Sequence, residues 1–476
     1  MKRFIIIIPL IFFLLVSCQQ NIVPDHAEIP ADKVLTRSLS TGKVGPDDPI
    51  VFLPATNMKA WTDIGPLEER FAASEVPASR LSSMTTEALV KSMMNYPLNY
   101  LVFAYNDPKM AIDIIVKHSS LHKEFLSRPD AAEVFVDMYA AAELDMSLEK
   151  SNFDGDYKSL SYTNTIFMDH FLGSQNLNGL GQASVKQKLT EAVREKLQAR
   201  IQTPETFSMF SVEPLIIIDE KESLSVVSDL NTRSLSYTVN STYTALGHLI
   251  EYLVIEEMTA DEMEDVTNDL VTQYPNAIVR GASTYDYNCH SYAWLNQSIE
   301  NNMWLNPKTL SDTFQLSRFW TDDAYVGCSE ADAEIVYYSS GDHSAVKLSN
   351  GNYISKWGRG PLMEHSPTYS PYISTNRQYY QIRRTPLYGE LTILGETNVS
   401  VNQRNNYQIN RYCPKLSYSW VVRYNYAASP TPFFLDIYGG SCSLTCQEYG
   451  LYNTSAYGYY KGFPVVVAEI NIIAGL

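Results

Sequence analysis

The sequence is short of positive charge. It contains 36 Lys and Arg residues against 53 Asp and Glu, which gives a formal net charge of −17 at pH 7. A surface of this sign repels a phosphate backbone, so we expect no nucleic-acid partner. Peptidoglycan is also anionic, and long-range attraction therefore cannot be what brings the protein to a cell wall.

Several common site motifs are missing. The chain has no CxxC pair, no HExxH, no Gly-rich phosphate loop and no GxSxG elbow, which argues against structural zinc, phosphoryl transfer and serine hydrolysis. Cys289, His290, His343 and His365 are the residue types of a mixed metal site, but no ligand spacing supports one. We expect neither a metal nor a cofactor.

No apolar run is long enough for a usual membrane span. Lys2 and Arg3 precede an apolar stretch over residues 4–16, which has the length of a signal-peptide core. It ends in Leu15-Val16-Ser17-Cys18, which resembles the bacterial lipobox. The resemblance implies that residues 1–17 are a lipoprotein signal peptide and that acylated Cys18 anchors the protein to a membrane of the bacterial cell envelope, expected to be the outer membrane. Gln19-Gln20 leaves the periplasmic or surface face open.

Five cysteines remain beyond Cys18. An odd number in an exported protein leaves at least one thiol unpaired. Cys413, Cys442 and Cys446 lie near each other in sequence, and one disulfide among them would fit an exported chain.

The length predicts several folded parts, and the patterns predict a multidomain α+β protein. Residues 18–80 are expected to be a tether and irregular leading segment, and residues 81–204 a helical region that resembles those of exported lipoproteins of Bacteroides-like bacteria. Residues 205–385 form the next part, and residues 386–476 the last.

Helix signals are clear in several places. Thr85 precedes a helix that ends before Tyr96-Pro97, and Asp107-Pro108 supplies a cap and a first-turn proline. Thr259 or Asp261 caps a later helix that ends at Tyr274-Pro275. Beyond residue 386, short strands separated by Gly, Asn and Ser predict a β-sandwich. Trp420, central in an alternating strand, resembles the buried tryptophan of immunoglobulin-like modules.

Two short segments of the sequence contain the candidate catalytic residues. In Asn288-Cys289-His290-Ser291-Tyr292-Ala293 a loop turns into a helix that starts at the cysteine, where unpaired N–H groups favour thiolate. Further on, Asp342-His343-Ser344-Ala345 is a polar turn that enters a strand with the histidine at its start. A histidine held beside a thiolate can form an ion pair with it and later protonate a leaving amine.

Residues 275–385 resemble CHAP and NlpC-type cell-wall amidases and peptidases. The cysteine is followed by an aromatic residue and an alanine, and the strand from His343 turns near Gly351 and returns through Tyr353-Ile354. The resemblance implies a papain-like α+β fold in which a helix carrying the nucleophile packs on an antiparallel sheet. It implies that Cys289 attacks an amide carbonyl and that His343 is its base and acid.

The same resemblance places a residue that orients the histidine on the returning strand. Counting along the hairpin gives Ser355, where the family commonly has His, Glu, Asn or Gln. A serine can accept a hydrogen bond from the ring but supplies no charge. Four further residues are candidates for substrate contact: Tyr285, Tyr287, His290 and His365. On a helix, His290 is expected to point away from Cys289.

The function that follows is a lipid-anchored envelope cysteine amidase or endopeptidase that hydrolyses amide bonds in peptidoglycan peptides. One alternative is a non-enzymatic cell-surface binding lipoprotein with a degenerate papain-like cleft. Another is an amidase that acts on a host or competitor polymer. The aromatic stretch 301–327 is expected to shape access to the cleft.

Overall fold

Helices form the first half of the chain and antiparallel sheets most of the second. The computed structural model describes residues 45–144, 159–227, 237–295, 297–305, 315–339, 342–424 and 433–475, all within one compact unit that spans 36–476. The predicted signal peptide and Cys18 lie outside the described residues. The described part is an α+β protein with a helical N-terminal region and a β-rich C-terminal region.

Thirteen helices of the described residues make up a helical layer. They are α1 Leu53–Thr56, α2 Met58–Thr62, α3 Leu67–Ala73, α4 Ala78–Ser83, α5 Thr86–Met94, α6 Leu101–Ala104, α7 Pro108–His118, α8 Ser120–Ser127, α9 Ala131–Ala141, α10 Tyr162–Ser174, α11 Ala183–Gln202, α12 Met209–Glu222 and α13 Ala260–Gln273. Two more, α14 Cys289–Trp294 and α15 Arg318–Thr321, lie further along the chain.

The predicted caps are confirmed. The side chain of Asp107 accepts a hydrogen bond from Lys109 N ahead of Pro108, the first residue of α7. Thr259 and Glu262 form a complete capping box at the start of α13. Each cap satisfies backbone N–H groups that the first helical turn leaves without partners, which fixes where the helix begins.

The first and middle strands of the described chain are short. They are β1 Glu143–Leu144, β2 Ser159–Leu160, β3 Tyr237–Tyr243, β4 Leu249–Ile255, β5 Ile278–Gly281, β6 Trp304–Leu305, β7 Tyr325–Gly327, β8 Ile335–Tyr338, β9 His343–Lys347, β10 Tyr353–Lys356, β11 Leu362–His365 and β12 Arg377–Ile382. Seven of them form the central sheet in the order β5-β11-β10-β9-β8-β12-β7, with every neighbour antiparallel.

Both faces of the central sheet are covered. Alternate side chains of a strand point to opposite faces, and here Tyr338, Ala345 and Met363 join the core of the helical layer. Ile335 and Val346, which point the other way, join a second core with α14 and the C-terminal strands. The central sheet is therefore shared by two hydrophobic cores.

The C-terminal strands form two further sheets. They are β13 Leu387–Tyr388, β14 Ile393–Leu394, β15 Asn398–Ser400, β16 Arg404–Ile409, β17 Ser417–Tyr424, β18 Phe433–Tyr438, β19 Ser441–Cys446, β20 Gly450–Tyr460 and β21 Phe463–Gly475. One sheet has the order β13-β21-β20-β17 with β15 beside β21, and the other β14-β16-β19-β18. Trp420 of β17 is 4% exposed, and its indole N–H donates to Gly439 O, 3.1 Å away, on the other sheet.

The predicted disulfide is wrong. Cys289, Cys328, Cys413, Cys442 and Cys446 are all free. Cys442 and Cys446 lie on one strand, so their Cα atoms are about 13 Å apart at 3.3 Å per residue, well beyond the reach of a disulfide. The thiol of Cys413 instead lies against Gly247.

The leading segment differs from the expectation. Residues 53–83 hold four short helices where an irregular segment is expected. In the described part of the chain, no helix combines the length and the apolar character needed to cross a membrane.

Candidate functional site

Cys289 is the first residue of α14, as the sequence predicts. Asn288 caps this helix: its side-chain oxygen accepts from Ser291 N, and its amide donates to Leu305 O at 2.6 Å. Since both the oxygen and the nitrogen of the Asn288 side chain form hydrogen bonds, the start of the helix is fixed, and Cys289 is fixed with it. Cys289 is only 1% exposed.

The loop before Cys289 is fixed from two sides. Glu257 accepts hydrogen bonds from Tyr285 N and from the hydroxyl of Thr284. Lys356, at the end of β10, donates to three backbone carbonyls: Thr284 O at 2.9 Å, Gly358 O at 2.8 Å and Gly360 O at 2.5 Å. All three ammonium protons are therefore used to join the loop to the turn between β10 and β11.

His290 lies in the field of Cys289 and Asp342, although helix spacing suggests that it points away from the thiol. Its Nε2 is 3.2 Å from Asp342 Oδ1, an ion pair without the alignment of a hydrogen bond, and its Nδ1 is 2.9 Å from Ser344 Oγ. Burial alone would lower the pKa of His290, but Cys289 and then Asp342 outweigh burial and raise the pKa to about 10. His290 is thus an imidazolium near neutral pH.

His343 begins β9, as predicted, but packs on the opposite side of the strand from Ser344. Its ring stacks on Tyr372 with centroids 3.5 Å apart and planes inclined by 13°. Neither ring nitrogen has a hydrogen-bond partner within the described residues. Burial, and then the neighbouring His290 and His365, hold the pKa of His343 well below its usual value.

Ser355 lies on the returning strand, where the hairpin count places it. Its hydroxyl is 3.0 Å from His365 Nε2 and accepts from the indole N–H of Trp357 at 3.1 Å. His365 Nδ1 lies 2.8 Å from Ser366 O and must carry the proton, because a carbonyl only accepts. Burial lowers the pKa of His365 to about 4, so this ring is neutral. Ser355 thus engages His365, and no hydrogen bond joins it to His343 among the described residues.

Tyr285 and Tyr287 are packed rather than open to solvent, at 5% and 2% exposure. The hydroxyl of Tyr285 accepts from Arg359 Nη2 at 2.7 Å, and its ring meets Trp304 edge-on at 4.7 Å. The ring of Tyr287 lies 5.3 Å from the ammonium of Lys356. Both tyrosines support the cysteine loop.

The aromatic stretch expected to shape access is described only in part, because residues 306–314 lie outside the described residues. Phe319 and Trp320 pack against Trp294 of α14, with centroids 5.7 and 5.2 Å apart. These rings therefore support the back of the helix that carries Cys289.

Asn106 is a site residue that sequence reasoning missed. It lies between α6 and α7, and its Nδ2 is 3.3 Å from Cys289 Sγ and 3.1 Å from Asp342 O. Nothing in the local pattern around Asn106 indicates chemistry, since Asn-Asp-Pro reads only as a helix cap. The sequence around Asp342 likewise indicates only a turn before a strand.

Within the described residues, no group of three or more His, Cys, Asp or Glu side chains is arranged to hold a metal ion. Four polar groups are instead gathered at Cys289: the thiol itself, the Asn106 amide, the His290 imidazolium and the Asp342 carboxylate. This arrangement can hold a thiolate and deliver a proton beside it.

Comparison with known proteins finds one family model that covers part of this site. A family model described as a domain of unknown function (DUF7689) matches residues 278–390, under a quarter of the chain. The match begins at β5, ends just after β13, and contains α14 with every strand of the central sheet. No curated protein matches the chain. In this chain the matched segment therefore carries Cys289, His290 and Asp342 but not Asn106.

Proposed function

We propose that the protein is a cysteine-dependent amide hydrolase with its nucleophile at Cys289. The observation that carries the proposal is one buried imidazole that interacts with both a thiol and a carboxylate: His290 Nε2 lies 3.2 Å from Asp342 Oδ1, and Cys289 and Asp342 together raise its pKa. Nucleophile, proton carrier and orienting acid are the three parts that thiol-based acyl transfer needs.

The backbone of Asp342 supports the same proposal. Its φ angle is +44°, in the left-handed region that non-glycine residues seldom occupy. Such strain costs on the order of 1–3 kcal/mol and persists where surrounding contacts hold it, often at functional sites. Asp342 lies directly before β9, and its carboxylate oxygen is 3.2 Å from His290 Nε2.

The proposed reaction has two steps. In the reactive form His290 already carries the proton that the Cys289 thiol has given up. The thiolate sulfur bonds to the amide carbonyl carbon, and the C–N bond breaks as the nitrogen takes that proton from the imidazolium, which leaves His290 neutral. Water, deprotonated by neutral His290, then attacks the acyl-enzyme, releases the carboxylic acid and restores the thiolate beside the imidazolium. Asp342 keeps the imidazolium oriented throughout.

The fold to which we assign this site is papain-like, since a helix that begins with the cysteine packs on an antiparallel sheet. We assign the two C-terminal sheets to an immunoglobulin-like module because Trp420 is buried between them. By the lipobox-like Cys18 and the resemblance to CHAP and NlpC-type enzymes, we propose a lipid-anchored envelope protein that acts on peptidoglycan peptides. Protease treatment of intact cells would distinguish a surface from a periplasmic position.

The test is turnover of peptidoglycan stem peptides by the soluble chain from Gln19 onward. We expect Cys289→Ala to abolish hydrolysis and His290→Ala to reduce it by about 10²–10⁴-fold, the usual contribution of a general acid–base. His343→Ala, which removes a stacked neutral ring, is the comparison variant. An active His290→Ala beside an inactive His343→Ala would reassign the proton carrier to His343.

One observation favours the second candidate, a binding protein without turnover. Cys289 and His343 are each 1% exposed, and Ser355 is engaged by His365. A substrate carbonyl must therefore approach from the side of Asp342, whose side chain is 19% exposed. If the wild-type chain binds stem peptides but releases no new amine, the binding function stands and hydrolysis does not.

A further inference from the structure

One carboxamide joins two parts of the site that are far apart in sequence. Nδ2 of Asn106 lies 3.3 Å from the sulfur of Cys289 and 3.1 Å from the backbone carbonyl of Asp342. The amide nitrogen has two protons, and these two contacts account for both. The residue belongs to the helical layer, whereas Cys289 and Asp342 belong to the central sheet and its helix.

The position of Asn106 is itself fixed by the turn between β10 and β11. The guanidinium of Arg359 donates to Tyr105 O at 3.3 Å and to Asn106 O at 3.5 Å, and Arg359 N donates to Phe103 O at 2.8 Å. Arg359 is 2% exposed and also donates to Tyr285 in the cysteine loop. The same arginine thus fixes the segment that carries Asn106 and the loop that carries Cys289.

We infer that Asn106 is a catalytic residue of this site, supplied by the helical layer, and that it couples the thiolate to the His290–Asp342 pair. The inference rests on the proposed function. The N–H that points to sulfur becomes a charge-assisted hydrogen bond when Cys289 ionises. The second N–H holds the carbonyl of Asp342, and with it the strained turn that aims the carboxylate at His290.

Other titratable groups act on the thiol and are left in place in the Asn106 variants. Besides His290 and Asp342, these are Lys356, whose pKa burial lowers to about 7, and the hydroxyls of Tyr337 and Tyr372. Asn106 differs from all of them because it is uncharged over the accessible pH range. Its replacement by alanine therefore removes a hydrogen bond without changing the net charge of the site.

The experiment follows alkylation of Cys289 by iodoacetamide against pH in the soluble chain from Gln19 onward, read by peptide mass spectrometry. We expect Asn106→Ala to move the pH midpoint upward by about one unit, a tenfold loss of rate at a fixed pH below it, since a hydrogen bond to a charged group is lost. Asn106→Asp, which keeps the shape but replaces the donor by a negative charge, should move the midpoint at least as far. Lys109→Ala, which breaks an exposed ion pair with Asp113 on α7, is the matched control and should leave the midpoint unchanged.

The outcomes separate this inference from the proposed function. If His290→Ala raises the midpoint but neither Asn106 variant does, the Asn106 inference is overturned and the hydrolase proposal is untouched. If His290→Ala has no effect while Asn106 variants do, the proton carrier assigned above is wrong. A shifted midpoint in Asn106→Ala, at a thermal stability equal to that of the wild type, rules out a purely structural role.

Discussion

The imidazole that interacts electrostatically with Cys289 belongs to the next residue in the chain, His290. His290 is fully buried, yet its pKa is raised because the effects of Cys289 and Asp342 outweigh that of burial. His343 and His365, equally buried, have lowered pKa values because they lack such partners. At the scale of single residues, the site therefore contains one charged and two neutral histidines.

This difference predicts a pH dependence of stability. Since the pKa of His290 is about 10 in the folded chain and about 6.5 when unfolded, its contribution is complete below pH 6.5 and lost as pH rises towards 10. We expect the free energy of unfolding of the wild type to fall across this window and that of His290→Gln to fall less, as measured by urea unfolding at each pH.

The control for that measurement is His365→Gln. Because the pKa of His365 is lowered to about 4, its own titration affects stability only between about pH 4 and 6.5. This variant should be less stable than the wild type through the loss of the bond to Ser355, but the slope between pH 6.5 and 10 should match. Parallel slopes in all three proteins would contradict the charge assigned to His290.

The sequence alone locates Cys289 at the start of a helix and His343 at the start of a strand. The capping Asn288 marks the first, and a polar turn before an apolar strand marks the second. The partners are not local. Asn106 meets Cys289 across 183 positions of sequence, and only the packing of helices on the sheet brings them together. A single sequence holds no physical signal for such a contact.

Among the elements, the turn between β10 and β11 organises the site. Gly358 in this turn has φ +53°, and a Cβ atom there would lie 2.5 Å from Phe103 O and 2.6 Å from Ala104 O. The turn therefore presses directly on the backbone that precedes Asn106. Lys356 and Arg359 on either side bind the cysteine loop and the helical layer.

We predict that Gly358→Ala is much more damaging than Gly351→Ala. Both glycines have positive φ, which costs an alanine roughly 1–2 kcal/mol, but a Cβ at Gly351 meets nothing within 4 Å. Gly358→Ala must in addition displace two backbone carbonyls, so its free energy of unfolding should fall by clearly more in urea titrations. It should also slow Cys289 alkylation, whereas Gly351→Ala should not. Similar losses in both variants would mean that the turn does not press on α6.

Helices whose first turn carries a clear capping signal could be predicted from the sequence, whereas helices without such a signal could not. The capping box at Thr259 and the proline after Asp107 locate α13 and α7 because each pairs a side chain with nearby N–H groups. The helices α1 to α4 have four to seven residues, too few for a clear periodic pattern, and are stabilised by packing rather than by propensity.

On the scale of the whole molecule, the central sheet belongs to two cores at once. One face packs on the helical layer and the other on α14 and the C-terminal strands. The composition and strand pattern predict the α+β class, but not that helices far upstream cover the sheet and complete the site. Shared cores of this kind make the described part of the chain cooperative, since loss of one layer exposes apolar side chains of the next.

The family-matched segment 278–390 should therefore not fold alone. Separated from the helical layer, it would expose the face of the central sheet that carries Tyr338, Ala345 and Met363, all now buried. We expect the fragment to bind a hydrophobic dye and to unfold without a sharp transition, whereas residues 45–476 give one cooperative transition by circular dichroism. A fragment that melts sharply and whose Cys289 alkylates with the pH profile of the longer chain would show that neither the helical layer nor Asn106 is needed to form the site.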